Sequence, residues 1–512
     1  MKGGEDAAVS DQWLLTPDHV HQWMNEAAQQ LTQARDALNR ANVFPVADAD
    51  TGTNMAVTIS HAARAAQAAT RTQPHIEANA LLSEVARAAM HSARGNSGAI
   101  LAQWLNGFAH GHAQAGVPAA CVEGADSAYR AVADPVDGTV LTVAHAVARA
   151  ASTGDTTTDA ATRIDNLAEV AYTSFLATNT QLHALADHGV RDAGACGFVL
   201  IIQALATTIL GHHHTNGRPT PQDFLRVTPP APDHPNRPHT TTDTTIAGYE
   251  VTALLTWNKP LSPTQRPGIE RRLKDAGDSL VLGRGVSPND SVPFHIHTDH
   301  PERVLNICAD VADQVSHIAL RSLTPPHTPD APQPVVVLRT PVFARELART
   351  GALVILTGTH HITTEELTAL LDDTHTSNLH ITNRATHPHT AAAFPHATPH
   401  PNDIALATHL THHAWAIDPN DTPPTTHLTL TRDDNPITAI TNALNTLTDA
   451  DPQPTTNGTT TITMLTDTHY PDHHISALTH HLATLHPTPP HLTVIPAHTA
   501  GTTADITLTR HH

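Results

Sequence analysis

Apolar residues recur at three- and four-residue steps through the N-terminal part of the chain. Val20, Trp23, Met24, Ala27, Leu31, Ala34 and Leu38 form one such stripe, the spacing of a single buried face on a long helix. Thr16 followed by Pro17 marks its start, with a hydroxyl to cap the first turn and a proline suited to the first helical position. Similar stripes run through Ala80 to Met90, Leu141 to Ala150, Leu167 to Leu176 and Val199 to Leu210. Almost nothing between them alternates with period two. Residues 1–212 are therefore expected to form an all-α domain.

The pattern then breaks. Residues 213–244 are rich in Pro, His and Thr with little to bury, the composition of a linker. Residues 245–323 mix the two periods. Gly248 to Thr256, Ser279 to Leu282 and Val292 to His297 read as strands, with helices over Gln265 to Gly277 and after Pro301. That is a small α+β domain. A second proline-rich linker occupies 324–334. Beyond it, Val335 to Leu338 and Ala352 to Leu356 read as buried strands and Thr364 to Leu371 as a helix. The alternation predicts an α/β domain over 335–512. From Thr386 onward His, Thr and Pro dominate, and only Thr426 to Thr431 and Thr459 to Met464 keep a strand pattern.

Composition narrows the function. Aromatics are only 3% of the 512 residues, so the cores must rest on Ala, Leu, Val and Ile. The formal charge is −20 with histidines neutral, and lysine occurs only at Lys2, Lys259 and Lys274. A nucleic-acid surface needs clustered Lys and Arg, so that class is excluded. Cys121, Cys196 and Cys308 lie far apart, which argues against a disulfide framework and for a cytoplasmic setting. The first residues, MKGGEDAAVSDQW, lack the apolar core of a signal peptide. The apolar stretch from Phe198 to Leu210 is interrupted by Gln203, Thr207 and Thr208; a buried helix is expected there and no membrane span. The 42 histidines follow the compositional bias of the second half, since metal sites need spacing and not abundance.

The candidate chemistry begins in the loop after the first helix. Asp48 and Asp50 stand two apart before Thr51-Gly52-Thr53-Asn54. Paired carboxylates on a tight loop suit magnesium, which takes oxygen ligands and shares them with substrate phosphates. Gly52 lets backbone approach a phosphate, and Thr51, Thr53 and Asn54 offer hydrogen bonds. Taken alone, the loop is better explained as a solvated turn, since the same residue types are ordinary turn formers. Three more polar, glycine-containing loops between helices shift the balance: ARGNSG from Ala93 to Gly98, PVDGTVLTV from Pro135 to Val143, and VRDAGACG from Val190 to Gly197. Loops of this kind present backbone N–H groups to anions.

The four segments N-V-F-P-V-x-D-x-D-T-G-T-N-M, A-R-G-N-S-G, P-V-x-G-T-x-L-T-V and D-A-G-x-x-G resemble, in composition and order, the kinase domain shared by the L subunit of dihydroxyacetone kinase and the A subunit of bacterial fatty acid kinase. The resemblance implies an eight-helix barrel holding ATP and two magnesium ions. It implies metal ligation by Asp48 and Asp50, with Asn42 near a third ligand position that is Asp in one branch. It places Thr51, Gly52, Thr53, Asn54, Asn96, Ser97 and Gly98 about the phosphates, and Thr139, Asp192 and Gly194 around the nucleotide. One departure matters: relatives usually have glycine between the two aspartates, and this chain has Ala49. If that position is left-handed, alanine costs about 1 kcal/mol.

Phe294 to Asp299 alternates, so His295 and His297 share one side of a strand. Gly-Tyr at 248–249, Gly277 to Val281 and this HIHTD segment resemble the middle domain of the A subunit of fatty acid kinase. Where that family commonly has Cys after Gly-Tyr, this chain has Glu250. A Glu250/His295/His297 zinc site is the corresponding expectation, with a carboxylate harder than a thiolate. The activity implied is ATP- and magnesium-dependent phosphoryl transfer to a small acceptor, a fatty acid carboxylate presented by a binding partner. A dihydroxyacetone-type kinase and a non-catalytic nucleotide-binding scaffold are the alternatives, and a homodimer is one of the assemblies left open.

Overall fold

The computed structural model describes residues 13–153, 159–211, 220–227, 248–259, 261–262, 264–285, 290–323, 333–358, 361–371, 378–382, 385, 388–403, 405–407, 410, 425–449, 459–467, 469–484, 490–496 and 503–511. Most of the two expected linkers, and the N-terminal dodecapeptide, lie outside these residues. The chain divides into two compact units, Met1–Val315 and Ser316–His512.

The first unit opens with α1 (Pro17–Ala41), α2 (Thr51–Thr72), α3 (Ala78–Ser92), α4 (Gly95–Ala131), α5 (Val140–Thr153) and α6 (Ala160–Leu176). Two short helices, α7 (Thr178–Gln181) and α8 (His183–His188), lead to α9 (Ala193–Leu210). All seven residues of the α1 stripe are buried. Thr16 caps α1 by accepting the His19 N–H, with Pro17 at the first position. The chain bends inside α4 at Ala115 and Gly116, so its two halves are separate helical runs. Each long helix packs on the next, and α9 contacts both α6 and α1. Four of the few aromatics meet in the core: Trp104 contacts Trp23, Phe108 and Phe198, and Trp23 contacts Phe108, with ring centroids 5.0–6.3 Å apart. The Trp23 indole N–H donates to the Ile201 carbonyl at 2.9 Å, which satisfies its one polar group.

α9 corrects the reading of the apolar stretch. It starts at Ala193, five residues earlier than Phe198, and is by length and composition able to cross a membrane; most of it is buried inside this unit. The closing helix of a helical core is apolar all round because neighbours cover every face.

The same unit contains β1 (Tyr249–Thr256), α10 (Gln265–Lys274), β2 (Asp278–Leu282), β3 (Ser291–Thr298) and α11 (Pro301–Val311). β3 lies between β2 and β1, antiparallel to both. β2 carries a bulge: Asp278 faces His297 and Val281 faces His295, so three steps on β2 match two on β3. Ser279 sits in that bulge with φ of 55°.

The second unit holds five strands in the order β4 (Gln314–Ser322), β6 (Leu353–Leu356), β5 (Val335–Leu338), β7 (Leu379–Thr382) and β8 (Thr398–His400). The division between units falls inside β4, a strand that the sequence pattern did not reveal. β5 is parallel to β6 and β7, as expected of an α/β layer, and β4 is antiparallel to β6. Thr363 caps the helix Thr364–Leu370 in a capping box with Glu366. A second sheet, unforeseen as a separate layer, runs in the order β11 (His491–Pro496), β10 (Thr459–Thr466), β12 (Thr503–His511), β9 (Thr425–Thr431). Buried Arg339 bonds Asp467 at 2.6 Å, while Asp403 accepts the main-chain N–H groups of Arg339 and Thr340.

Candidate functional site

The loop from Asn42 to Asp50 leaves α1 and turns into α2. Asn42 ends α1, is buried, and donates its side-chain amide to Asp48 Oδ1 at 2.6 Å. Asp48 and Asp50 are part-exposed, so both can meet a cation. Between them Ala49 adopts φ of 57°. The left-handed conformation suspected from the relatives' glycine is therefore present, and alanine bears its cost of about 1 kcal/mol.

α2 begins at Thr51 and α4 at Gly95, and the two starts meet. Thr51 Oγ1 and Ser97 Oγ lie 3.2 Å apart. Both line a cavity of about 320 Å³ together with Asn96, Thr139, Asp192 and Gly194. Residues from all four motif loops thus converge. Thr139 is held by donating to the Val136 carbonyl at 2.8 Å. Asp192 caps α9 by accepting the Ala195 N–H at 2.6 Å.

Other expected nucleotide contacts are placed elsewhere. Gly52 is buried against α1: a Cβ there would stand 2.2 Å from the Arg35 carbonyl oxygen. Thr53 is tied to the same helix, its hydroxyl accepting from Asn39 Nδ2 at 2.9 Å and its N–H donating to Asn39 Oδ1 at 3.1 Å. Asn54 is buried beside Gly95, and Gly98 packs by Thr58. These residues, with Asn42, Asp48 and Asp50, are not among the cavity-lining residues. Helical periodicity explains the split: within the first turn of α2, Thr51 faces the cavity while Gly52 and Thr53 face α1.

The lining also includes residues to which the sequence reading gave no role. Phe44 and Pro45 precede the aspartates. Val132, Asp134 and Val136 precede Thr139. Asp278 to Val281 come from β2 of the α+β region. Phe44, Pro45 and Val136 stand inside the motif segments, but no role followed from their type; folding brings them to the cavity.

Burial pushes the Asp192 carboxyl up to about 6, against N–H groups of Ala195 and Val140 that hold it down. The folded value exceeds the usual 3.8, so the folded state holds the proton more tightly. Its stability relative to the unfolded chain falls as pH rises from about 4 to 6 and stays low above that. The interval corresponds to about 3 kcal/mol. Asp192→Asn keeps an acceptor for the Ala195 N–H and removes the charge. Its stability relative to wild type should rise by up to that amount between pH 4 and 7, read from urea melts across that range. A difference independent of pH would show that the carboxyl does not titrate there.

A second cluster lies on β1 and β3. Glu250 is directly opposite His297, and Thr252 opposite His295. Opposed residues share a face of an antiparallel pair, and so do residues two apart. Glu250 Oε1 is 3.1 Å from His295 Nδ1, and the two Nε2 atoms of His295 and His297 are 3.1 Å apart. All three residues are buried, and each offers one ligand atom within 4.8 Å of the others'. The expected trio is thus brought together. It lies next to the motif loops, since a Cβ on Gly95 would be 3.5 Å from Glu250 Oε1.

Comparison with known proteins gives these sites a context. Residues 45–207 match the DAK2 domain, and residues 247–328 match the middle domain of the fatty acid kinase A-subunit-like type. Protein YloV of Bacillus subtilis is 27% identical over 315 residues, covering 59% of this chain and 54% of that protein. An uncharacterized protein of Staphylococcus epidermidis is 28% identical over 292 residues, covering 55% and 50%. The chain spans about half the length of the curated relatives it matches. The dihydroxyacetone kinase of C. freundii, solved in complex with AMP-PNP and Mg²⁺, is 18% identical with a TM-score of 0.31, covering 41% of this chain and 37% of that one. The chain therefore carries a DAK2 domain followed by a middle domain like that of the fatty acid kinase A subunit.

Proposed function

We propose that this protein is an ATP- and magnesium-dependent phosphotransferase, with its nucleotide in the cavity where α2 and α4 begin. The observation that carries this reading is the meeting of Thr51 and Ser97 at 3.2 Å, at the starts of two helices beside the Asp48–Asp50 loop. Helix starts favour anions through unpaired N–H groups and the helix dipole. Asp48 and Asp50 would hold magnesium, which neutralises phosphate charge when bound. Asn42 already bonds Asp48, and with its amide turned over it would offer an oxygen to the cation. Asp192 and Thr139 would bound the nucleotide. The cyclic helix neighbours, from α1 through α6 to α9 and back, support the eight-helix barrel.

The acceptor we infer is a fatty acid carboxylate presented by a separate binding protein. The middle domain supports it, being of the kind found in the fatty acid kinase A subunit. Calorimetry on the full chain tests the nucleotide reading. ATP should bind with magnesium present and weakly or not at all without it. Equal affinity in both conditions, or none in either, would sink it. Turnover with a carboxylate acceptor would separate an enzyme from a scaffold.

Glu250, His295 and His297 fit a transition metal: two imidazoles and a carboxylate, buried and within reach of one ion. We infer zinc there, with a carboxylate in place of a thiolate. The purified chain should take up about one zinc per molecule. His295→Ala should abolish uptake. Metal analysis giving the same zinc content for variant and wild type would reject this trio.

A further inference from the structure

A cavity built only to hold phosphates needs polar walls. This one also has apolar walls, among them Phe44, Val132, Val136 and Leu280. Val136 is 38% exposed, and it stands beside the other apolar lining residues, which together offer a surface for an apolar group. A purine base is a flat apolar surface with a polar edge, and such a group would cover it.

Another wall of the cavity is the bulge of β2. Asp278 and Ser279 line the cavity from that bulge. Ser279 holds φ of 55° although it is not glycine, at a cost of about 1 kcal/mol or more. Bulges of this kind re-aim side chains and gather beside functional sites. The bulge is also fixed to the helical part of the site. The Ala133 N–H donates to the Leu280 carbonyl at 3.0 Å, and Val132 forms a bridge with Val281. Lys274, at the end of α10, bonds Asp134 at 2.7 Å and the Ala133 carbonyl at 3.1 Å. The start of the segment from Val132 to Thr139 is therefore tied to β2 and to the end of α10, while both β2 and the segment line the same cavity.

We propose that the β2 bulge of the middle domain reads the nucleoside of the bound nucleotide, with Ser279 as a specificity-determining residue. The middle domain is then part of the nucleotide site and not a spacer. The proposal rests on the nucleotide reading above and adds which part of the ligand each wall meets. The phosphates lie toward Thr51 and Ser97, and the base and sugar lie toward Ser279 and Val136.

The test compares two probes on the full chain, each with magnesium: ATP, and inorganic tripolyphosphate, which lacks a nucleoside. Ser279→Asn tolerates the left-handed backbone and adds bulk to the cavity. It should weaken ATP binding at least tenfold, by about 1.4 kcal/mol, and leave tripolyphosphate binding within about twofold of wild type. Ser279→Gly relieves the backbone and removes the hydroxyl; it should weaken ATP severalfold with the same selectivity. If both variants bind ATP like wild type, or lose both probes in parallel, the bulge does not read the nucleoside. That outcome leaves the nucleotide site itself standing. A wild-type chain that binds neither probe overturns both readings.

Discussion

Replacing either Asp48 or Asp50 with asparagine should lower magnesium-dependent turnover at least about a hundredfold while leaving the helical content unchanged. Outer-shell partners of a metal already cost about 10- to 100-fold when removed, and a direct ligand costs more. The fold should not notice, because both side chains are part-exposed and lie outside the buried core of the helical domain. Circular dichroism and turnover on the same preparations decide it. Near-wild-type activity in one variant would remove that residue from the metal site. Ala49→Gly runs in the opposite direction. It relieves a left-handed alanine at φ of 57°, and the loop should gain up to about 1 kcal/mol. A variant less active than wild type would mean that the strain itself positions the aspartates.

Gly52→Ala should destabilise the first unit by about 3 kcal/mol or more, at the upper end of the range for overpacking. The added carbon would stand 2.2 Å from the Arg35 carbonyl oxygen and 2.9 Å from its carbon, both main-chain atoms. Main chain cannot rotate away as a side chain can, so α1 and α2 must separate. Those helices carry both ends of the aspartate loop, and magnesium-dependent binding should fall with stability. A melting temperature lowered by about 4 °C or more is the expected reading for a unit of this size. Gly268→Ala is the matched control. It sits in α10 with nothing within 4 Å of the added carbon, and helix propensity alone predicts a gain of about 1 kcal/mol. Equal melting temperatures for the two variants would show that α1 and α2 leave room for a Cβ at position 52.

Much of this protein was legible in one dimension. The α1 stripe, its Thr16 cap and its Pro17 start are set by local spacing and chemistry, and all seven stripe residues are buried. His295 and His297 fall on one side of β3 because strand periodicity is two. A left-handed turn at position 49 was raised as a condition by the glycine usual in relatives, and the structure has it at φ of 57°.

Other features depend on which surfaces meet. No spacing rule could assign Gly52 to a contact with the Arg35 carbonyl, because the partner is on another helix. Glu250 joins the two histidines only through the register that puts it opposite His297. β4, β11 and β12 were missed, whereas β9 and β10 of the second sheet kept a strand pattern, because short strands gain their stability from neighbours and hardly from their own pattern. The cavity shows the same division. Its polar members, Thr51, Ser97, Thr139 and Asp192, stood out as loop chemistry, whereas Val136 and Ser279 became neighbours only when β2 paired with the chain before α5. Local sequence determines element type and caps because those free energies are local. Long-range packing decides which face of each element becomes a site, because burial depends on what covers it.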